Sequence, residues 1–240
     1  MSTPRLDHIA LAVPRMADAT ATLVGELGGL PHHGGTSGAY RFGQWRFAGG
    51  GRLEVLEPRG ADGFLHRFLA QRGPGVHHVT FMVADLDAAC ARARARGYRI
   101  VGYDGADPEW REAFLHPKEA QGIVVQLAES RAGAGGPGPW TPPPAPPPAR
   151  AVTVLGLRLR ARSRAHALAQ WGVVLAGRVE DTAPDEVTVR WPESPMRLVV
   201  TIDPAGEDGP VAIEYASDGP GPLPARPHPV LGVVFRRRGA

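Results

Sequence analysis

Apolar and polar positions alternate in two segments of the chain that are seventy positions apart, residues 6–13 and 76–83. Each segment leads into a stretch with helical spacing, residues 16–27 and 86–96, and glycine follows both stretches. Alternation predicts half-buried strands, and the 3.6-residue spacing predicts helices that end at the glycines. The pattern therefore indicates a strand and helix unit that is present twice.

Further alternating segments follow each helix and complete two modules, residues 4–58 and 76–129. The predicted strands lie near 40–47 and 52–56, with room for a short strand near 30–33, and then near 98–103, 111–115 and 123–127. Residues 59–75 connect the modules and have helical spacing. Because one module is too small to bury both faces of its sheet, we predict an α+β fold. In this fold, paired βαβββ modules form one curved mixed sheet around a cleft.

The second half of the chain predicts a linker and a third, degenerate module. Residues 131–150 are rich in glycine and then in proline, which is typical of a spacer, and Trp140 is a candidate anchor for it. Residues 151–240 are predicted to form a βαβββ-like module with an extra C-terminal strand. In this interpretation Gly156 stands where the opening strands carry histidine, and the segment around Glu214 is the closing strand. The predicted divisions are 1–130, 131–150 and 151–240.

Each of the first two modules places one imidazole on its opening strand and one oxygen donor on its closing strand. His8 and Glu54 are forty-six positions apart, and His78 and Gln126 are forty-eight apart. Neutral imidazole together with carboxylate or amide oxygen suits a divalent metal such as zinc, iron, nickel, cobalt or manganese. A pair of ordinary core histidines is the alternative interpretation.

Composition excludes several classes of function. The 240 residues are 43% apolar, which is enough for a core, and no apolar run reaches the roughly 18 residues of a membrane-spanning helix. We see no signal peptide and expect a cytoplasmic location. The net charge is +3, with arginines spread along the chain and not interleaved with aromatic residues, so we expect no nucleic-acid partner. The single cysteine, Cys90, excludes an intrachain disulfide.

Several motifs resemble the vicinal oxygen chelate superfamily of glyoxalase, bleomycin-resistance and extradiol-dioxygenase proteins, and are most similar to methylmalonyl-CoA epimerases. The matching stretches cover about 5–129 and are LDHIALAVP at 6–14, LEVLEP at 53–58, FLAQRG at 68–73, GVHHV at 75–79 and FLHPK at 114–118. The resemblance identifies residues 1–130 as a glyoxalase-like domain. It implies one divalent metal ion, held by His8, Glu54, His78 and Gln126.

The resemblance also implies catalytic roles for Glu54 and Gln126. Glutamine at 126 departs from the epimerase pattern, in which glutamate is usual, and a neutral amide cannot accept a proton. The middle strand at 40–47 likewise has no acidic residue where the epimerases carry their other catalytic carboxylate. We therefore do not expect strict methylmalonyl-CoA epimerase activity.

Substrate contacts are predicted from residue type and position. Aromatic side chains that could line the cleft are Trp45, Phe47 and Trp110, although ordinary packing would also account for each of them. His116 and Lys118 are candidates to contact an anionic substrate, and a turn before the last strand is the equally good alternative.

The sequence thus predicts a metal-dependent enzyme of the isomerase or lyase type. It would act on a small carbonyl, hydroxy-acid or acyl-thioester substrate through a metal-stabilised enolate. The alternative is a non-catalytic protein of the bleomycin-resistance type that sequesters a ligand in the same cleft. A homodimer is left open.

Overall fold

The computed structural model of the chain describes residues 3–130, 140–218 and 223–238, and of residues 181–182 it describes the backbone alone. The strands, in chain order, are β1 Arg5–Ala12, β2 Leu30–Ser37, β3 Tyr40–Arg46, β4 Arg52–Pro58, β5 Gly75–Met82, β6 Ile100–Asp104, β7 Trp110–Leu115, β8 Val124–Ser130, β9 Thr153–Ala161, β10 Arg178–Ala183, β11 Glu186–Arg190, β12 Arg197–Ile202, β13 Gly209–Ala216 and β14 Val234–Arg237. The helices are α1 Met16–Thr20, which continues as π-helical turns over Ala21–Glu26, α2 Phe64–Arg72, α3 Leu86–Arg94, and α4 Arg164–Ala167, which continues over Leu168–Val174.

The strands of the first two modules form one eight-stranded sheet in the order β2-β3-β4-β1-β5-β8-β7-β6. Each opening strand pairs in parallel with the closing strand of its own module, β1 with β4 and β5 with β8. The hairpins that complete each module are antiparallel. The predicted α+β class with repeated βαβββ modules is confirmed.

The helix of the second module begins where its sequence predicts and ends at Arg94, two residues before the predicted end at 96. The Asp85 carboxylate accepts a hydrogen bond from the backbone N–H of Ala88 at 2.9 Å and so caps α3. At the other end Gly97 has a φ of 83°, a left-handed conformation that glycine adopts without strain.

The third module differs from its prediction in the choice of strands. β10, which the sequence reading missed, pairs with β11, β11 pairs with β12, and β12 pairs in parallel with β9. The closing strand is therefore β12, and the assignment of the segment around Glu214 to that place is wrong. β13 instead pairs in parallel with β14, in a second sheet of order β10-β11-β12-β9-β13-β14.

Contacts between Cα atoms divide the chain into two compact units. The first unit contains residues 78–130 and 156–211, together with the first residues of the chain up to Asp7. Its core includes Phe81, whose ring lies 6.3 Å from that of Trp171 and 4.8 Å from that of Trp191. The predicted division into domains at residues 130 and 150 stays a prediction.

The second unit contains residues 8–77, 140–155, 212–218 and 223–238. The small side chains of Ala10 and Ala12 pack with Leu56 and with Leu65 of α2, and four further apolar side chains cover them: Tyr40, Phe42, Phe68 and Leu69. Helix α2, the predicted connector, therefore covers the face of β1 that carries Ala10.

The linker is anchored where the sequence suggests. The ring of Trp140 lies 5.5 Å from that of Trp45 at 82°, and it covers Gly34 and Gly43 so closely that neither has room for a Cβ. Residues 140–148 form neither helix nor strand, and the glycine-rich part at 131–139 lies outside the described residues. Within the described part of the chain, none of the helices has the length and apolar character needed to cross a membrane.

Candidate metal centre

The first module contributes an imidazole and a carboxylate from neighbouring strands. Ala10 of β1 lies opposite Glu54 of β4 in the parallel register, so Glu54 pairs two positions beyond His8. Side chains two positions apart on a strand point to the same face. His8 is 2% exposed, Glu54 is 7% exposed, and Nε2 of His8 lies 3.6 Å from Oε2 of Glu54.

The second module repeats this register. Thr80 of β5 lies opposite Gln126 of β8, again two positions beyond the histidine of the opening strand. His78 is 5% exposed and Gln126 is 7% exposed. The equivalence of the two modules is thus present in the strand pairing as well as in the sequence spacing.

Three of the four predicted ligands converge. One ligand atom each from His8, Glu54 and His78 lies within 4.8 Å of the other two, and all three residues are buried. Two imidazoles and a carboxylate form a donor set that suits a divalent transition metal and leaves positions for further ligands. The donor set therefore fits the metal that the sequence predicts, while a coordinating role for Gln126 stays a prediction.

The neighbouring His77 has a different environment. Its ring lies 5.5 Å from that of Phe64 and 5.0 Å from that of Phe68 on α2. Burial lowers the pKa of His77 from 6.5 to about 4, although the nearby Glu54 carboxylate acts in the opposite direction. His78, and not His77, supplies the imidazole of the converging group.

Glu54 is held by a side chain of the middle strand. Gln44 of β3 lies opposite Glu54 in the antiparallel register, and its Nε2 donates to Oε2 of Glu54 at 2.9 Å. Both side chains are buried. Strand 40–47 has no acidic residue, and its Gln44 amide instead supports the carboxylate of the next strand.

Gln126 has two short hydrogen bonds, one of them to a carboxylate that the sequence reading missed. Its Oε1 accepts from the Thr80 hydroxyl at 2.5 Å, and its Nε2 donates to Oε2 of Glu112 on β7 at 2.6 Å. Glu112 also accepts from the indole Nε1 of Trp110 at 2.9 Å. Phe114 lies opposite Gln126 in the register, and Glu112 is two positions from Phe114. Alternation along 110–115 places Glu112 on the same face as Phe114, but it does not give the register that brings Glu112 beside Gln126.

The predicted substrate-binding residues lie in varied environments. Trp45 is fully buried against Trp140, and Phe47 is 5% exposed and packs close to Gly29. Trp110 is 38% exposed. His116 is half-buried and its Nδ1 accepts from the backbone N–H of the exposed Lys118 at 3.3 Å. A contact of any of these five with substrate stays a prediction.

A separate cavity of about 440 Å³ lies in the second unit, between the linker and β2 and β3. Its lining includes Trp140, Phe42 and the ion pair of Arg41 with Glu57, whose N–O distance is 3.6 Å. None of the four predicted metal ligands lines this cavity.

The third module has no metal donors at the equivalent positions. Gly156 precedes the helix N-cap Ser163 by seven residues, as His78 precedes the N-cap Asp85. A Cβ at Gly156 would lie 1.9 Å from the carbonyl oxygen of Arg197, so no imidazole can stand there. The closing-strand position is occupied by Val199, opposite Arg158.

Glu214, which the sequence reading equated with Glu54, belongs to another interaction. Its buried carboxylate accepts from Nε of Arg238 at 2.9 Å. The residue lies on β13, away from the closing-strand position of β12.

Comparisons with known proteins agree with this geometry. Residues 7–114 match the model of the glyoxalase/bleomycin resistance protein/dioxygenase superfamily. The chain is 31% identical over 131 residues to the uncharacterized protein YqjC of Bacillus subtilis, covering 53% of this chain and 93% of that protein. It is 32% identical over 139 residues to the ethylmalonyl-CoA/methylmalonyl-CoA epimerase of Cereibacter sphaeroides, covering 52% of this chain and 97% of the epimerase.

The fold likeness extends over most of the chain. A variant of 4-hydroxymandelate synthase from Streptomyces coelicolor superposes with a TM-score of 0.61 at 14% identity, covering 91% of this chain and 72% of that protein. At this identity the likeness concerns the fold alone. The sequence relatives, the paired modules and the convergence of His8, Glu54 and His78 all agree: the chain belongs to the glyoxalase/bleomycin resistance protein/dioxygenase superfamily.

Proposed function

We propose that this protein is a metal-dependent isomerase that moves a proton on the carbon next to the carbonyl group of a small acyl thioester. The observation that carries the proposal is the convergence of two buried imidazoles and one buried carboxylate. The chain is 32% identical to the ethylmalonyl-CoA/methylmalonyl-CoA epimerase of Cereibacter sphaeroides, and this similarity supports the reaction class. A bound divalent ion would polarise the substrate carbonyl and so acidify the adjacent C–H bond.

Burial and hydrogen bonding would hold the side chains of the metal site in place. His8 and His78 are both buried and stand on the opening strands of the two modules in the eight-stranded sheet. The Gln44 amide fixes one oxygen of Glu54 by a hydrogen bond and thereby limits rotation of the carboxylate. Such outer hydrogen bonds orient ligands and are a common feature of metal sites.

Glu112 changes the chemical argument about epimerase activity. The sequence predicts one carboxylate, Glu54, and an amide at 126, whereas proton removal and return need groups of suitable pKa on both sides of a substrate. In the structure the Gln126 amide is hydrogen-bonded to Glu112, so the second module also carries a carboxylate beside its closing strand. This supports isomerase chemistry over simple ligand sequestration.

The test combines metal analysis with proton exchange. Protein purified without a histidine tag is analysed for bound metal, loaded with cobalt or nickel, and incubated with methylmalonyl-CoA in D₂O while the C2 proton is followed by NMR. We expect about one metal per chain and loss of the proton signal. The His8→Ala variant should lose both properties, and His166→Ala, which removes an exposed imidazole on α4, should keep both.

Two outcomes would contradict the proposal. If the wild-type chain binds none of the added metals, the site is not a metal centre. If it binds metal and methylmalonyl-CoA without exchange, the chain is a ligand-binding member of the superfamily for this substrate class, as the alternative from the sequence predicts.

A further inference from the structure

The two modules contain the same pair of chemical groups, exchanged between the middle and the closing strand, although Gln44 lies directly opposite Glu54 whereas Glu112 lies diagonally from Gln126. In the first module the closing strand carries the acid, Glu54, and the middle strand carries the amide, Gln44, at 2.9 Å. In the second module the closing strand carries the amide, Gln126, and the middle strand carries the acid, Glu112, at 2.6 Å. Each module therefore contains one carboxylate and one amide, but the strand that carries the carboxylate in the first module carries the amide in the second.

The exchange has a consequence for the orientation of Gln126. A carboxamide has a donor end and an acceptor end, and only the oxygen can bind a cation. An ionised carboxylate accepts hydrogen bonds and cannot donate them, so Glu112 selects the nitrogen of Gln126. Thr80 pairs with Gln126 across β5 and β8, and its hydroxyl donates to Oε1 of Gln126. This contact also places the nitrogen of the amide toward Glu112 and the oxygen away from it.

We infer that Glu112 is a positioning residue of the metal centre, which fixes the Gln126 amide with its nitrogen toward β7 so that Oε1 is presented as the fourth ligand atom. This inference rests on the proposed metal site. Glu112 also restores to the second module the negative charge that glutamine at 126 removes from it. The pair of Gln126 and Glu112 is thus an inverted counterpart of the pair of Glu54 and Gln44.

The charge and the orientation can be separated by exchanging the two groups. Glu112→Gln keeps the size of the side chain but removes the charge and lets the two amides adopt either orientation. Combining it with Gln126→Glu in the same chain recreates the polarity of the first module, with the acid on the closing strand and the amide on the middle strand. Loss of an outer hydrogen-bond partner typically weakens metal binding by roughly 10–100-fold.

The experiment is a cobalt titration of the metal-free chain, followed by calorimetry and by the visible absorption spectrum of bound cobalt. We expect Glu112→Gln to weaken cobalt binding about tenfold or more and to change the spectrum. The reciprocal variant carrying both exchanges should return to within about threefold of the wild-type affinity, because a complementary pair is restored. Glu109→Gln is the matched control, since Glu109 is an exposed carboxylate beside β7.

The outcomes separate this inference from the proposed function. Unchanged affinity in Glu112→Gln, or failure of the reciprocal variant to recover, would overturn the role of Glu112 while the metal site stands. No cobalt binding by the wild-type chain would overturn both. If Glu112→Gln does not fold, Thr80→Val removes the other contact of the same amide, and unchanged affinity and spectrum in that variant would count against a fixed orientation of Gln126.

Discussion

The packing of the linker against Gly34 can be tested with one substitution, whose effect on stability should reverse when Trp140 is removed. Gly34 lies on β2, and a Cβ built there would lie 2.4 Å from ring atoms of Trp140, which supplies all three of the nearest atoms. Ordinary contacts between carbon atoms are about 3.5–4.0 Å, so the indole would have to move by about 1 Å. Overpacking of this kind costs about 1–3 kcal/mol. We therefore expect Gly34→Ala to destabilise the chain by that amount.

The same substitution should be favourable once Trp140 is removed. Gly34 does not have a positive φ, so alanine can adopt its conformation without strain. Replacing glycine at such a position stabilises a protein by about 0.4–1 kcal/mol, because the unfolded chain loses conformational freedom. In the Trp140→Ala background we expect Gly34→Ala to be neutral or stabilising, which corresponds to a coupling energy of about 2 kcal/mol.

The assay is urea unfolding followed by circular dichroism, since the fluorescence of Trp140 itself changes in this series. Gly38→Ala is the control, because a Cβ at Gly38 meets no atom within 4 Å, and its effect should be the same in both backgrounds. If Gly34→Ala destabilised the chain equally with and without the indole, the docking of the linker on β2 would be refuted.

Three further predictions concern the site and its supporting strands. The folded chain lowers the pKa of His77 from 6.5 to about 4, so its contribution to stability is present above pH 6.5 and is lost as the pH falls toward 4. Between pH 6.5 and pH 4, the free energy of unfolding of the metal-free wild type should therefore fall by up to about 3 kcal/mol more than that of the metal-free His77→Leu variant, as measured by urea unfolding. Asp85→Ala should lower the free energy of unfolding by about 1 kcal/mol, because α3 loses its N-cap. Glu54→Gln should weaken cobalt binding in calorimetry by more than the roughly tenfold typical of removing an orienting group, whereas Glu109→Gln should leave it unchanged.

The equivalent positions of the two histidines on the opening strands were predictable because their signal is local. His8 and His78 each stand seven residues before a helix N-cap, Arg15 and Asp85, so strand, turn and helix are marked within a short window. The equivalence of Glu54 and Gln126 then follows because each lies at a similar distance along the chain from the histidine of its own module. A duplicated module therefore reveals its equivalent positions without knowledge of the tertiary structure.

The contribution of Glu112 was not predictable in the same way. It depends on which residues of β7 face Gln126, and that is set by an antiparallel register with a diagonal contact. Sequence spacing carries no record of such a register unless the turn between the strands fixes it. The first module has no acid on its middle strand at 40–47, whereas the second module carries Glu112 on its middle strand, β7.

The error in the third module has a physical cause as well. β10 has the sequence RVEDTA, which has few apolar positions and no clear alternation, so it was not recognised as a strand. Omitting one strand moved the closing position from β12 to β13 and gave Glu214 the place that Val199 occupies. The pairing of β9 with β12 depends on contacts between distant segments, which local propensity does not report.

The third module lacks the equivalent donors but still packs against the second module. Its face carries the buried Arg158, whose guanidinium donates to Oε2 of Glu186 at 2.6 Å and to the Thr201 hydroxyl at 2.9 Å. Arg158 thus forms an ion pair at the position where the second module has Thr80, and Gly156 stands where that module has the imidazole of His78. Trp171 and Trp191 of this module both contact Phe81 of β5, three residues from His78. The third module therefore contributes packing without metal donors, because its two indoles support the strand that carries His78.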